Sequence, residues 1–109
     1  MYYSVMVKSY KQHCPVAKTL DIVGEKWTLL ILRDFFLHGA RRFQDLQDSL
    51  TGIAPNTLSA RLKQLEQQGV LERKSYSDSP PRFEYVLTEK GNDLGAVVKA
   101  LYNWGDRYT

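Results

Sequence analysis

Asn56, Thr57, Ser59, Ala60, Arg61, Lys63, Gln64 and Gln67 all fall in one stretch, I-A-P-N-T-L-S-A-R-L-K-Q-L-E-Q-Q-G, over positions 53–69. Amide and hydroxyl groups hydrogen-bond to base edges, and lysine or arginine neutralises phosphate. Leu58, Leu62 and Leu65 recur at i, i+4, i+7, the spacing of one buried helical stripe. Asn56, Ala60, Lys63 and Gln67 then lie opposite the leucines, with Thr57 and Gln64 beside them. That outer face has no carboxylate to repel a phosphate. It suits the major groove of DNA. An ordinary amphipathic surface helix has a polar outer face too, so this helix alone leaves both readings open.

Cys14 is the one candidate for covalent reactivity. It directly precedes Pro15, which places it at the N-cap of a first helix, where unpaired N–H groups and the helix dipole favour a thiolate. Lys11, His13 and Lys18 are near in sequence and could add to that effect. A cysteine that merely caps or packs is the alternative.

Enzyme chemistry finds little support. One cysteine and two histidines, His13 and His38, do not give the spacing of a metal site. His13 adjoins Cys14, but neighbours in sequence rarely face one another, and no third group orients them. No glycine-rich phosphate loop occurs, and the carboxylates are scattered without a pair across a cleft. No catalytic residue, metal or cofactor is expected, and an enzyme is not the reading.

The elements that must position these residues follow from periodicity. Pro15 opens a helix over 15–23, with Val16, Leu20 and Val23 on one side and Gly24 ending or turning it. A second helix over 26–38 is apolar nearly all round, which predicts a central element covered on several sides; Gly39 caps it and leaves His38 at the helix end. A short helix over 42–50 carries Phe43, Leu46 and Leu50. Thr51-Gly52 then turns the chain into the helix that Pro55 begins and Gly69 stops. Two short helices joined by a glycine-containing turn form a helix-turn-helix pattern. Strand-like runs over 70–76 and 83–88 flank a polar loop, S-D-S-P-P-R, at 77–82. In the second run Phe83, Tyr85 and Leu87 alternate with Glu84 and Val86, the period of a half-buried strand. This hairpin makes a wing, to which Arg73 and Lys74 bring charge at the edge and Arg82 at the tip. Thr88 can N-cap a last helix over 89–107, with the stripe Leu94, Val97, Val98, Leu101, Trp104 and Tyr108.

A chain of 109 residues suggests one domain with one modest core. That core is small for so long a last stripe. Packing within the chain is one reading; a two-fold dimer seam shared with the first residues is the sharper one, since two-fold readers pair with palindromic DNA. Residues 1–13 are rich in tyrosine and read as an arm that packs on a partner subunit, or as a frayed terminus. The net charge of +3 permits a polyanionic partner without requiring one. Over 41–69 four basic residues (Arg41, Arg42, Arg61, Lys63) meet three acidic ones (Asp45, Asp48, Glu66), so DNA affinity has to come from where charges point. A single cysteine excludes an internal disulfide framework, no apolar run is long enough to span a bilayer, and a cytoplasmic protein is expected.

The chain resembles the HxlR family of bacterial winged-helix transcription regulators, relatives of the MarR group. The resemblance rests on C-P-V-A-K-T-L-D-I-V-G-E-K-W-T-L-L-I-L (14–32), R-R-F-Q-D-L (41–46), G-I-A-P-N-T-L-S-A-R-L-K-Q-L (52–65), G-V-L-E-R (69–73) and P-P-R-F-E-Y-V-L-T-E-K-G (80–91). It implies an α+β, mostly α, winged helix-turn-helix with a two-stranded β-hairpin wing and N- and C-terminal helices that form a dimer seam. It also implies one domain over 1–109: an arm at 1–13, the helix-turn-helix at 42–69, the wing at 70–88 and a C-terminal helix at 89–107.

The function it implies is that of a homodimer on double-stranded, pseudo-palindromic operator DNA, with no membrane partner. The DNA-facing set is then Arg42, Pro55, Asn56, Thr57, Ser59, Ala60, Arg61, Lys63, Gln64, Arg73, Lys74 and Arg82. Tyr2, Tyr3, Leu94, Val97, Val98, Leu101, Tyr102 and Trp104 form the dimer interface. In some relatives the cysteine of this C-P pair senses oxidants or electrophiles. One departure is Ala54, where many members carry Ser or Thr; a lost side-chain cap costs ~1 kcal/mol, and Pro55 offsets part of it. The rival from another class is a winged helix that docks a protein instead of DNA.

Overall fold

A computed structural model describes residues 14–109. Helix α1 (Pro15–Val23) starts on a proline whose missing N–H costs nothing at the first helical position. It stops at Gly24, whose N–H donates to the Leu20 carbonyl at 2.7 Å. Helix α2 (Lys26–His38) is N-capped by the Glu25 carboxylate, which accepts from the Thr28 N–H at 3.2 Å. Helices α3 (Phe43–Ser49) and α4 (Pro55–Gln67) follow, joined by the expected tight turn. Strands β1 (Leu71–Asp78) and β2 (Pro81–Leu87) form an antiparallel hairpin. Helices α5 (Glu89–Asn92) and α6 (Gly95–Tyr108) close the chain.

One core joins the helices to the root of the hairpin. Val23, Ile31, Leu32 and Phe35 meet Leu46, Leu50, Ile53, Leu58, Leu62, Leu65, Val70 and Leu71, all buried. Each large aliphatic among them contributes about 1.5–3 kcal/mol relative to exposure. The three leucines of α4 are thus turned inward, and this fixes which side of α4 looks outward.

The end of α4 shows how sequence sets the next turn. Gly69, with φ of 74°, donates its N–H to the Glu66 carbonyl at 3.0 Å, and Val70 donates to Leu65 at 2.9 Å. This double closure needs a left-handed residue at position 69, which glycine supplies without a β-carbon clash. It swings the chain straight into β1.

Four expectations need correction. Helix α2 is not covered all round among the described residues: Leu37 is 66% exposed and Phe36 is also exposed. Asp34, which interrupts the apolar run, is buried instead. The wing has no six-residue loop at 77–82. The strands continue to the pair Asp78 and Pro81, and only Ser79 and Pro80 make the turn. Pro81 is admissible there as the first residue of its strand. Arg82 consequently pairs with Ser77 on the strand, one step below the tip. Phe83, expected on a half-buried face, lies beyond the reach of the core and is exposed. The last helix is interrupted after Asn92: α5 packs against β2, and α6 begins only at Gly95. Thr88 does cap α5, accepting from the Gly91 N–H at 3.1 Å.

Candidate nucleic-acid interface

With Leu58, Leu62 and Leu65 buried, α4 exposes Pro55, Asn56, Ser59, Ala60, Lys63, Gln64 and Gln67. Ala54 holds the N-cap with no side-chain hydrogen bond, as its type requires. Thr57 and Arg61 are half-buried at the flanks of this face. Beside it stands the wing. Between the two runs a groove of about 350 Å³ lined by Ser59, Lys63, Glu66, Gln67, Arg73 and Tyr85. Burial comes first, and the Glu66 charge second, in pushing the Tyr85 phenol above its ordinary pKa.

The charges are distributed unevenly across this surface. Arg42 sits at the N-cap of α3 and its guanidinium grips Asp45, with Nε at 3.3 Å from Oδ2 and Nη2 at 3.1 Å from Oδ1. Its backbone N–H donates to the same carboxylate at 2.9 Å. Asp45, and after it the Tyr76 hydroxyl, raise the Arg42 pKa; in return Arg42 holds the Asp45 carboxyl below the usual carboxylate range. Arg61 donates to Gln64 at 2.9 Å, and its Nε lies 3.8 Å from the Glu25 carboxylate, so it ties α4 to the start of α2. That Nε is shielded from solvent and makes no hydrogen bond.

Arg73, exposed on the wing beside the groove, lies 3.4 Å from Glu66 and over the Phe83 ring at 5.6 Å. Lys74 is 3.7 Å from Glu72 on its own strand. Lys63 and Arg82 are exposed, and neither has an ion-pair partner among the described residues. Of the basic groups expected to meet DNA, these two present an uncompensated charge.

A residue to which the sequence alone assigned no site role organises the root of the wing. Arg41 exchanges both backbone hydrogen bonds with Tyr85, at 3.0 and 2.7 Å, adding one bridge to the edge of β2. Its guanidinium Nε donates to Asp34 at 2.7 Å and its Nη2 to the Asp45 carbonyl at 3.2 Å. The signal was present: a lone aspartate inside an apolar helix needs a buried partner.

Order, capping and wing together match known proteins. The profile of the HxlR-like helix-turn-helix family covers residues 22–109. The chain belongs to that family. Rv3095, an HTH-type transcriptional regulator of Mycobacterium tuberculosis, is 50% identical over 93 residues, covering 85% of this chain and 58% of the relative. The chain thus spans a little under three fifths of the length of that curated relative. The redox regulator HypR in its oxidized form superposes with a TM-score of 0.81 at 33% identity, over 88% of this chain and 98% of that one. The reduced form of the transcriptional regulator YodB from B. subtilis superposes at 0.74 with 32% identity, over 89% and 95%; its diamide-treated form does so at 0.66 with 31%, over 89% and 96%.

The remaining candidate residues lie away from α4. Cys14 is half-buried at the N-cap of α1, in extended conformation, with no side-chain hydrogen bond. Lys11 and His13 lie outside the described residues, as do Tyr2 and Tyr3. Leu94 and Val98 are half-buried against the core. Val97, Leu101, Tyr102 and Trp104 are exposed, Leu101 by 51% and Trp104 by 64%. Leu101 and Val97 join Val16 and Leu20 of α1 along an apolar groove of about 400 Å³. Among the described residues no group of acidic, histidine and cysteine side chains is placed to hold a metal, and no helix is long and apolar enough to cross a membrane.

Proposed function

We propose that this HxlR-like protein regulates transcription as a cytoplasmic homodimer that binds double-stranded operator DNA and does no catalysis. The observation that carries the reading is the outer face of α4: amides, the Ser59 hydroxyl and one unpaired lysine, all exposed, on a helix anchored by three buried leucines. Asn56, Ser59 and Gln64 supply donors and acceptors for base edges, Pro55 and Ala60 allow close approach, and Thr57 lies at the flank. Lys63 and Arg82 meet phosphate, Arg82 from the wing in the neighbouring groove. Arg42, Arg61, Arg73 and Lys74 border that surface with their charges partly compensated. The exposed side of α6, with Leu101 and Trp104, pairs with its twin, so that two recognition helices stand about one duplex turn apart.

Cys14 is the proposed sensor of oxidants or electrophiles. Its N-cap position supports this, as do the likenesses to a redox regulator and to a regulator treated with diamide. Selection of bound genomic DNA with purified protein, with and without diamide, tests both ideas. Recovery of a palindromic site whose occupancy falls or rises with diamide is expected. Recovery of no preferred sequence, with binding indifferent to salt, would overturn the DNA reading in favour of a protein-docking module. A Cys14→Ser variant that still responds to diamide removes the sensor.

A further inference from the structure

Asp34 is 1% exposed, in the last turns of α2, and takes two hydrogen bonds from other parts of the chain. Arg41 Nε donates to one carboxylate oxygen at 2.7 Å, and the Ser49 hydroxyl at the end of α3 donates to the other. Arg41 is the same residue whose main chain bridges Tyr85 of β2. One buried carboxylate therefore links α2, α3 and, through Arg41, the wing. The only other ion pair between wing and helices among the described residues is Glu66 with Arg73, exposed and longer at 3.4 Å.

We infer that Arg41 is a positioning residue for the wing, held by Asp34, and sets the spacing between wing and α4 that DNA must match. This rests on the DNA-binding reading above. The role calls for arginine. Its planar fork reaches Asp34 with Nε and the Asp45 carbonyl with Nη2 at once, while a lysine ammonium at the same place is a single point on a flexible stem. With the side chain released, Arg41 keeps only its backbone bonds at the edge of the hairpin, where opening is easy. A wing free to swing meets its groove in only some of its orientations, and binding must then order it.

Arg41→Lys and Asp34→Asn test this in the full chain, with Ser49→Ala as a milder third variant that leaves the ion pair intact. Amide hydrogen exchange in the absence of DNA is read first. Exchange at Tyr85 is expected to accelerate roughly tenfold or more in Arg41→Lys and Asp34→Asn, and less in Ser49→Ala, while Leu62 in the core keeps its parent rate. Hydroxyl-radical footprinting on the selected operator is read next. The variants should lose protection at the flanks reached by the wing and keep it at the centre, with affinity down roughly tenfold. The double variant should be no worse than the worse single, since both remove one interaction. Unchanged Tyr85 exchange overturns the inference, as does flank protection retained at the parent level once that exchange has risen. Acceleration at Leu62 equal to that at Tyr85 also overturns it, by showing general loss of structure. A parent that protects no DNA overturns the regulatory reading instead, and the exchange measurement still decides whether Asp34 and Arg41 hold the wing.

Discussion

Gly91 lies so close to Val70 that a β-carbon placed on it would stand 2.2 Å from the Val70 carbonyl oxygen and 3.0 Å from a Leu87 methyl. The carbonyl cannot retreat freely, because it already accepts from the Thr88 N–H at 3.1 Å. Around this contact Lys90 donates to the Gln68 carbonyl at 2.6 Å, and the Thr88 hydroxyl donates to Gly69. The run T-E-K-G therefore fastens α5 to the junction between α4 and the wing. Gly91→Ala should destabilise the protein by about 1–3 kcal/mol, the usual cost of overpacking, as read by urea unfolding. A variant as stable as the parent would show that α5 shifts without cost.

Salt dependence separates charges that meet phosphate from charges already spent within the protein. Lys63→Ala should reduce the slope of log affinity against log salt by about 0.9 for each subunit engaged, about 1.8 for the dimer on its full site, and weaken all sequences alike. Arg73 is partly neutralised by Glu66, so Arg73→Ala should leave that slope nearly unchanged. Asn56→Ala should relax preference at one base pair by ~1–3 kcal/mol without touching the slope. Equal slopes for parent and Lys63→Ala would remove that residue from the interface.

What the sequence discloses and what it hides differ for a physical reason. The span of α2, the start and capping proline of α4 and the glycine stop at position 69 follow from local rules of period and capping, and each stands where those rules put it. The inward turn of Leu58, Leu62 and Leu65 was legible for the same reason. Non-local facts were not. Nothing adjacent to Arg73 foretells Glu66, seven positions back, as its partner, and nothing in R-R-F says that the first arginine is turned inward while the second grips Asp45 at the surface. The break between α5 and α6 also escaped, because the apolar stripe of the last helix shows no loss of helical period there.

The exposed pair of Arg42 and Asp45 gives a weak pH dependence whose sign is fixed. The folded Asp45 carboxyl titrates below the usual carboxylate range, through the Arg42 side chain first and its backbone N–H second. A group depressed in the folded state stabilises above its unfolded pKa, and that contribution disappears as pH falls through the folded value. Stability should therefore lose a small increment on the acid side of the ordinary carboxylate range, and high salt should shrink it, since both side chains face water. Asp45→Asn should flatten that limb in melting curves taken against pH. An identical acid limb in parent and variant would place the linkage elsewhere.

The exposed apolar face is the basis for a test of assembly. Leu101 and Trp104 on α6, with Val16 and Leu20 on α1, leave more apolar surface in water than scattered single residues would. A two-fold mate covering it would join two recognition helices in one particle, and the second helix would then bind as an intramolecular event. Such linkage raises affinity by about 10² to 10⁴ without any new contact. Leu101→Glu puts a charge into the proposed seam at a position already half in water, so the monomer fold should survive. The parent is expected to sediment as a dimer and the variant as a monomer. The variant's affinity for the palindromic site should fall toward that for a single half-site, while half-site binding itself stays unchanged. A variant that remains dimeric with the parent's operator affinity would move the seam away from this part of α6. A parent that is monomeric at micromolar concentration would leave operator symmetry without a counterpart in the protein.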